Sequence, residues 1–242
     1  TALLWDKRTG EALNNAIVWQ CRRTTDFCES LRAQGHEKMV KRKSGLVLDP
    51  YFSASKFRWL LKNTAGLSTL LKSDRVAAGT IDSYLIWRLT RGAAHFTDVS
   101  NASRTSLMNI NKGCWDKSLL ELFEVPDHIL PTIGPSSGIL GHTQGVKGLP
   151  DGIPIAGVAG DQQSALFGQT CFGAGDAKCT FGTGSFILMN TGGKLVHSES
   201  GLLTTIAWQL GKGKPVYALE GGAFVCGAAV QWLRDGLKLI KR

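Results

Sequence analysis

The stretch from residue 153 to residue 169 constrains the fold of this chain more than any other part of its sequence. Its first half is a short apolar run bounded by glycine and proline, which predicts a buried strand. Its second half, from Gln162 onward, is helix-forming and ends near Gly168. One carboxylate, Asp161, lies in the turn between them. Because open α/β sheets bind ligands where a strand ends and a helix begins, the pattern predicts an α/β fold with a functional residue at Asp161.

Asp161 has two interpretations, which are compatible with each other. A carboxylate in this place caps the following helix by accepting hydrogen bonds from its first backbone N–H groups. Alternatively, it is a catalytic group that accepts the proton of a reacting hydroxyl. Phosphoryl transfer through a loose transition state requires such a positioned acceptor and not a strong base.

The charge of the chain bears on its partners. The formal net charge is +9, from 28 lysines and arginines against 19 aspartates and glutamates. This balance permits a nucleic-acid partner. The charges are dispersed, and the one dense run, from Lys38 to Lys43, has no aromatic residues between its cations. We therefore expect a solvated basic face or a site for anionic phosphates, and no nucleic-acid partner.

Other classes of protein are excluded by missing patterns. No apolar run reaches the roughly 18 residues of a membrane span, so no stable membrane insertion is expected. The sequence has no P-loop motif and no dinucleotide-binding glycine motif. Its six cysteines form no C-x-x-C pair and have no histidine at metal-binding spacing, so we expect reduced thiols in a cytoplasmic protein and no metal site built from protein ligands.

The remaining pattern predicts several elements. Strands are expected at residues 2–5 and 16–19 around a polar turn. Helices are expected within residues 51–63, with Ser53 as the cap, and at 220–241, with a start rich in small residues. Further helices are expected after Thr24 or Thr25, twice within residues 66–94 and at 116–124, with a polar loop at 101–105. Trp19, at a predicted strand end, is explained on pattern alone by core packing. Residues 179–190 predict a hairpin whose turn, Gly182 to Gly184, has backbone N–H groups able to hold phosphate oxygens.

Seven segments of the sequence together match one known family. They are residues 15–23, 45–53 with Lys56 and Trp59, 101–105, 159–163, 181–184, 201–205, and 218–221 followed by 231–235. The set resembles the glycerol kinases, within the sugar and polyol kinase family that has the ribonuclease-H-like, actin-like ATPase fold. The resemblance spans the whole chain. It implies ATP-dependent phosphorylation of glycerol to sn-glycerol 3-phosphate, with Mg²⁺.

The resemblance also implies roles for residues on the glycerol side of the site. Asp161 matches the general base of the family. Gln162 and Tyr51 match residues that hydrogen-bond the glycerol hydroxyls. Trp19 and Phe186 match the apolar walls along the carbon chain of glycerol.

On the nucleotide side, the resemblance implies a second group of residues. Gly182 and Thr183 match the loop near the ATP phosphates. Gly227, Val230 and Gln231 match the start of a helix near the nucleotide. No residue of this sequence is assigned as a metal ligand.

The resemblance implies a two-domain organisation with the active-site cleft between the domains. Residues 1–171 correspond to the later part of the N-terminal, glycerol-binding domain. Residues 172–242 correspond to the first part of the C-terminal, nucleotide-binding domain. A homo-oligomer, dimer or tetramer, is expected at full length, as is a cytoplasmic location.

Two features depart from the family pattern. The N-terminal phosphate loop and an Arg-Glu pair that binds glycerol would precede Thr1, and the rest of the adenine site would follow Arg242. The sequence therefore resembles the middle half of a longer kinase, and the 242-residue chain alone is expected to be inactive. Bacterial relatives also carry a Gly-Thr-Arg loop for fructose 1,6-bisphosphate, where this chain has Pro150-Asp151-Gly152 and no arginine.

Two alternatives remain open at this point. One is a kinase for another small polyol or sugar, although the aromatic residues Trp19, Tyr51 and Phe186 favour a three-carbon substrate. The other is a non-catalytic actin-like or nucleic-acid-binding protein, which the basic charge permits. The presence of Asp161 and Gln162 together argues against this second alternative.

Overall fold

The computed structural model describes residues 1–240 and contains helices and sheets in alternation along most of the chain. The first 168 residues contain eight helices and eight short strands. The helices are α1 (Thr25–Ala33), α2 (Glu37–Ser44), α3 (Ser53–Asn63), α4 (Leu67–Lys72), α5 (Ile81–Leu89), α6 (Val99–Ala102), α7 (Lys117–Leu122) and α8 (Asp161–Gly168), with a 3₁₀ turn at Asp127–Ile129. The strands are β1 (Leu3–Asp6), β2 (Val76–Gly79), β3 (Phe96–Asp98), β4 (Met108–Asn109), β5 (Cys114–Trp115), β6 (Thr132–Gly134), β7 (Ser137–His142) and β8 (Pro154–Gly157).

The remaining strands form one antiparallel sheet. They are β9 (Ala177–Phe181), β10 (Ser185–Gly192), β11 (Leu203–Trp208) and β12 (Val216–Ala223), in the spatial order β11-β12-β10-β9. A short helix, α9 (Gly227–Gln231), and a π-helical turn at Trp232–Gly236 follow. The eight earlier strands pair in twos, β1 with β2, β3 with β6, β4 with β5 and β7 with β8.

The largest core lies among the helices of the first part and the β1–β2 pair. Helix α3 contributes Phe57 and Leu60, both almost fully buried, from the apolar side that its 3.6-residue period predicts. Leu4 of β1 and Val76 of β2 pack against the same cluster. This core fixes the start of β1 and the start of α3, next to Thr1 and Ser53, which both line the site described below.

A second core joins the first part of the chain to the antiparallel sheet. Val99, Met108 and Ile110 pack against Ile206 of β11 and Tyr217 of β12. The Tyr217 hydroxyl donates a 3.1 Å hydrogen bond to the carbonyl of Ile110. The sheet is therefore held against the earlier residues by both apolar contact and hydrogen bonding.

A third core places α8 on the face of that sheet. Leu166 of α8 packs with Leu188 of β10 and Ala218 of β12. The β9–β10 hairpin predicted from residues 179–190 is present, with its turn at Gly182 to Gly184. Helix α8 and this hairpin thus lie side by side, although a loop from 169 to 176 separates them in the sequence.

The predicted strand at residues 16–19 is wrong. Only an isolated bridge is present there, between Ala2 and Ile17. The edge of β1 is instead paired along its length with β2, from Leu3 opposite Gly79 to Asp6 opposite Val76. Strand β2 lies between two helices that were predicted for this region. Its four small or β-branched residues are too few to show the alternation of apolar and polar side chains that predicts a strand.

The predicted helix at residues 220–241 is also wrong at its start. Residues 220–223 continue β12, where Ser185 lies opposite Ala223 and Phe186 opposite Gly222. A Cβ atom on Gly222 would lie 3.1 Å from the Phe186 ring, so the small residue serves close packing between strands, not a helix start. Pairing with β10 overrides the local sequence preference. The helical residues also end at Gly236, so the predicted helix is too long within the described residues, and Lys241 itself lies outside them.

Three smaller predictions also change. Strand β8 is largely exposed, because it pairs only with β7 and no second layer covers it within residues 1–240. Ser53 does not cap α3 but begins it, and its hydroxyl donates to the carbonyl of Thr1 at 3.2 Å. Part of the predicted loop at 101–105 belongs to α6, because the Asp98 side chain accepts hydrogen bonds from the N–H groups of Ser100 and Asn101 and so caps a helical turn.

Candidate active site

The acceptor-side residues predicted from the sequence meet in one pocket. Its volume is about 310 Å³. Its walls come from the start of α3, the start of α5, the start of α8 and strand β10. All five predicted acceptor-side residues line it, namely Trp19, Tyr51, Asp161, Gln162 and Phe186.

The start of α8 is held in place from two sides, and this fixes the position of Asp161. The N–H of Gly160 donates to the Ser100 hydroxyl at 2.8 Å. A Cβ atom on Gly160 would lie 2.5 Å from Oε1 of Gln163, so only glycine fits before the carboxylate without a shift. Gln163 is buried, and its amide donates to the hydroxyl of Thr205 in β11 at 3.4 Å.

The capping interpretation of Asp161 is wrong. The N-cap residue of α8 is Gly160, and no side chain caps this helix. Asp161 is the first helical residue, and it is exposed and lines the pocket. Its carboxylate accepts a 3.3 Å hydrogen bond at Oδ2 from Nε2 of Gln162. Among the described residues, the carboxylate therefore retains acceptor capacity for a ligand hydroxyl.

Aromatic rings form the apolar part of the pocket. The centroid of the Trp19 ring lies 5.6 Å from that of Tyr51 and 6.2 Å from that of Phe186. Trp19 is half-buried, so the core-packing explanation of this residue does not hold for its whole side chain. A fourth ring, that of Phe224, lies 5.5 Å from Tyr51 and was not found from the sequence, because it follows β12 in a region predicted as helix.

An ion pair lies beside these rings and was not assigned a role from the sequence. Arg104 lines the pocket, and its Nη2 donates to Oε1 of Glu220 at 2.6 Å. The side chain of Glu220 is 3% exposed and that of Arg104 is 17% exposed. Burial raises the pKa of Tyr51, and the nearby Arg104 cation opposes that rise. Both charged residues lie in sequence segments that matched the family, and this match was the one signal in the sequence that could have identified them as site residues.

The lining of the pocket includes a second carboxyl group. Asp82, near the start of α5, accepts a hydrogen bond from the hydroxyl of Thr97 at 2.7 Å and another from the hydroxyl of Thr80. Burial raises the pKa of Asp82 above its usual range. This group is partly buried and held by two hydroxyls, whereas Asp161 is exposed.

The predicted nucleotide-side residues fall into two sets. Gly182 and Thr183 lie in the β9–β10 turn, and Gly227 begins α9 directly against it, with its N–H 2.9 Å from the carbonyl of Gly182. A Cβ atom on Gly227 would lie 2.6 Å from that carbonyl oxygen, so this position requires glycine. Val230 and Gln231 lie further along α9 and are exposed.

A smaller cavity connects the two groups of residues. Its volume is about 190 Å³, and it is lined by Trp19, Tyr51, Thr183 and Phe224 among others. The Gly182 to Gly184 turn thus opens beside the aromatic wall of the acceptor pocket. Val230 and Gln231 line neither of these two cavities.

Other features bear on cofactors and location. Within residues 1–240, no group of three or more His, Cys, Asp or Glu side chains is arranged to hold a metal ion. All six cysteines lie in the described part of the chain, and each is a free thiol. None of the helices described here has the length and apolar character needed to cross a membrane.

Comparison of the sequence with known proteins gives a consistent result. Residues 1–168 match the FGGY family of carbohydrate kinases, N-terminal domain. The chain is 62% identical over 242 residues to a glycerol kinase of Bdellovibrio bacteriovorus, covering 100% of this chain and 49% of that protein. It is 56% identical over 241 residues to a glycerol kinase of Alkalilimnicola ehrlichii, covering 100% of this chain and 48% of that protein. The chain thus spans about half the length of the curated relatives it matches.

Solved structures support the predicted fold class. The glycerol kinase of Plasmodium falciparum with ADP superposes with a TM-score of 0.92 and 40% identity, covering 99% of this chain and 48% of that chain. A xylulose kinase of Lactobacillus acidophilus, at 22% identity, shares the fold with a TM-score of 0.82 over 98% of this chain and 46% of its own. The predicted α/β, ribonuclease-H-like (actin-like ATPase) fold is confirmed, and the chain belongs to the FGGY family of carbohydrate kinases.

Proposed function

We propose that the protein carrying this chain phosphorylates glycerol with ATP to give sn-glycerol 3-phosphate, in glycerol uptake and catabolism. The observation that carries the proposal is the single pocket in which Asp161 and Gln162 face three aromatic rings, Trp19, Tyr51 and Phe186. Its volume of about 310 Å³ lies at the lower end of the range for ligand pockets, which suits a small polyol. The relatives at 62% and 56% identity are glycerol kinases, which supports the same substrate.

The arrangement of the pocket suggests how the acceptor is bound and activated. The aromatic edges contact the carbon chain, and Gln162 and Tyr51 bind hydroxyl groups at its sides. Asp161 accepts the proton of the reacting hydroxyl, whose oxygen then forms the new bond to the γ-phosphorus of ATP as the bond to ADP breaks. The products are glycerol 3-phosphate, ADP and the proton held at Asp161, which solvent then removes.

ATP is placed at the β9–β10 turn in this proposal. The carbonyl of Thr183 is bonded to the N–H groups of Cys226 and Ala228, which fixes the turn against the start of α9. Gly182 and Gly227 have no side chains, so phosphate groups can approach the backbone closely at these two positions. We assign Gly182 and Thr183 to the phosphates, and Gly227, Val230 and Gln231 to the nucleotide beyond them.

Mg²⁺ is proposed as the metal that accompanies ATP and neutralises charge on its phosphates. The described residues do not form a metal cage, so they do not by themselves fit the ion. We also propose a cytoplasmic homo-oligomer, dimer or tetramer, in which residues 1–171 belong to the glycerol-binding domain and residues 172–242 to the nucleotide-binding domain. The dispersed charge supports the absence of a nucleic-acid partner.

One experiment tests both the activity and the substrate. A protein that carries this chain at the full length of its relatives is assayed for ADP formation with glycerol, dihydroxyacetone, erythritol, xylulose and gluconate. The highest kcat/KM is expected with glycerol, and a larger substrate that matches or exceeds it would favour a kinase for another polyol or sugar. The same protein is not expected to bind DNA at physiological salt, and salt-sensitive DNA binding without any glycerol-dependent turnover would favour the non-catalytic alternative.

The 242-residue chain alone is expected to give no ADP formation above background. Positioning and electrostatic stabilisation provide almost all of the catalysis in phosphoryl transfer, and this chain has about half the length of its relatives. Formation of glycerol 3-phosphate by the chain alone, with its mass verified, would contradict this expectation.

A further inference from the structure

A buried lysine contacts the candidate site from outside the pocket. Lys178, in β9, is 6% exposed. Its ammonium group donates a 2.9 Å hydrogen bond to the hydroxyl of Thr180 and a further hydrogen bond to Oε1 of Gln162. It does not line the acceptor pocket, so any effect that it has on a bound substrate passes through Gln162.

The register of the sheet explains why a lysine is tolerated in this buried place. Leu188 of β10 lies opposite Lys178 on one side and opposite Glu220 on the other. Directly opposed residues share one face of a sheet, so Lys178 and Glu220 lie on the same face with their backbones about 10 Å apart. Burial lowers the pKa of Lys178, and the nearby carboxylates of Glu220 and Asp161 oppose that change by favouring the charged form.

The contact with Lys178 determines which way the Gln162 amide points. An ammonium group can only donate hydrogen bonds, so the oxygen of the amide must face Lys178. The NH₂ group is therefore turned the other way, and it lies 3.3 Å from Oδ2 of Asp161. The two ends of one amide thus join a buried cation to the carboxylate that opens into the pocket.

We propose that Lys178 is a positioning residue, which holds the Gln162 amide with its NH₂ group toward Asp161 and the acceptor hydroxyls. This inference rests on the proposed function, and it specifies that the NH₂ end of the Gln162 amide faces the substrate. Without the lysine, only the 3.3 Å contact with Asp161 orients the amide, so the amide is held less firmly. When it turns over, its oxygen faces the carboxylate of Asp161 and no donor remains for a substrate hydroxyl.

The test compares three single variants and one double variant, Lys178→Met with Gln162→Ala, of the full-length protein that carries this chain. Lys178→Met removes the ammonium group and keeps a long apolar side chain. Lys212→Met is the matched control, because Lys212 is exposed in the turn between β11 and β12. Gln162→Ala removes the amide through which Lys178 is argued to act. Glycerol-dependent ADP formation by the unchanged protein must be seen first, and its absence would refute the proposed function and not this inference.

The expected result is a split between KM and kcat. Lys178→Met should raise KM for glycerol by about tenfold or more and change kcat by less than about threefold, because the amide contributes to binding in the ground state and the transition state alike. Lys212→Met should leave both constants unchanged. In a Gln162→Ala background, Lys178→Met should change KM by less than about twofold, since residues that act through one contact are not additive.

Two results would overturn the inference. One is an unchanged KM for glycerol in Lys178→Met. The other is an equal rise in KM with and without the Gln162 amide, which would mean that Lys178 acts by another route. If Lys178→Met does not fold, Lys178→Gln replaces it, because glutamine keeps an N–H donor but carries no charge. Its effect on KM is measured with Gln162 present and in the Gln162→Ala background, and the inference again requires a smaller effect in the second case.

Discussion

Replacement of Gly45 by alanine should destabilise the chain far more than the same change at a comparable glycine. Gly45 ends α2 in the left-handed conformation, with φ of +76°. Its carbonyl accepts a 3.0 Å hydrogen bond from the N–H of Thr204 in β11. A Cβ atom at this position would lie 2.2 Å from the carbonyl oxygen of Thr204 and 2.8 Å from the Ile110 side chain. Because the first neighbour is backbone, it cannot rotate out of the way.

The magnitude follows from three contributions. The left-handed conformation costs a residue with a side chain about 1–2 kcal/mol. Forcing a methyl group into an occupied space costs about 1–3 kcal/mol, and separation of the two segments weakens a hydrogen bond that contributes about 1 kcal/mol. Gly45→Ala should therefore lower the free energy of unfolding by roughly 3–6 kcal/mol, as the sum of these terms.

Gly35 supplies the matched control. It follows α1 with φ of +84°, and a Cβ atom there would meet nothing within 4 Å. Gly35→Ala should cost only the conformational part, about 1–2 kcal/mol. Urea unfolding of the 242-residue chain, followed by tryptophan fluorescence, gives both values by linear extrapolation. Equal losses in the two variants would refute the argument that Gly45 is required by its contact with β11.

Three further predictions concern chemistry and pH. In the full-length protein, Asp161→Asn should lower kcat by a factor on the order of 10² or more with a smaller effect on nucleotide affinity; steady-state kinetics measures this, and near-normal turnover would remove Asp161 from the mechanism. The full-length protein should be insensitive to fructose 1,6-bisphosphate, because the 150–152 loop has no arginine whose guanidinium could bind a phosphate group. The Asp151 carboxylate in that loop accepts a 2.7 Å hydrogen bond from the N–H of Gly145. Strong inhibition by this sugar bisphosphate in an activity titration would contradict the prediction. Burial beside Trp5 and Trp87 lowers the pKa of His95 to about 4, with a small contribution from Lys7. The neutral imidazole is therefore favoured by folding, and the stability that it gives above pH 6.5 is lost as the pH falls toward 4, by about 1.5 kcal/mol between pH 6.5 and pH 5; His95→Gln, compared by urea unfolding at both values, should lack this loss, and a loss of equal size would contradict the assignment.

The sequence correctly predicted those parts of the site in which a local pattern of strand, helix or turn falls on the same residues as a family motif. Asp161 and Gln162 follow a strand-like run and begin a helix, so their position was predicted within one turn. Gly182 to Gly184 were placed in a hairpin turn because a tight turn has a local signature. The strand at 153–157 and the helix after it were predicted correctly in type, although the strand is more exposed than its apolar composition indicated.

The parts that were missed depend on residues distant in the sequence. Arg104 and Glu220 are separated by 116 residues, and nothing local to either segment predicts that they meet. Phe224 joins the aromatic wall because β12 continues beside β10, a pairing that overrides the helical pattern of the same residues. Strand β2 was missed for the same reason, since its partner β1 is distant in the sequence, at the start of the chain.

The second core, which joins Val99, Met108 and Ile110 to Ile206 and Tyr217, has a consequence during synthesis on the ribosome. Ile110 and Tyr217 are 107 residues apart, so the apolar face of the earlier residues has no partner until the later strands have emerged. At about 5–20 residues per second, that interval lasts roughly 5–20 s. Hydrophobic collapse is much faster than this, so the large core around Leu4, Phe57 and Leu60 can form first while the second face stays exposed to solvent. A nascent chain stalled between these two points should therefore be bound by chaperones and cleaved by proteases, and release past Tyr217 should end both.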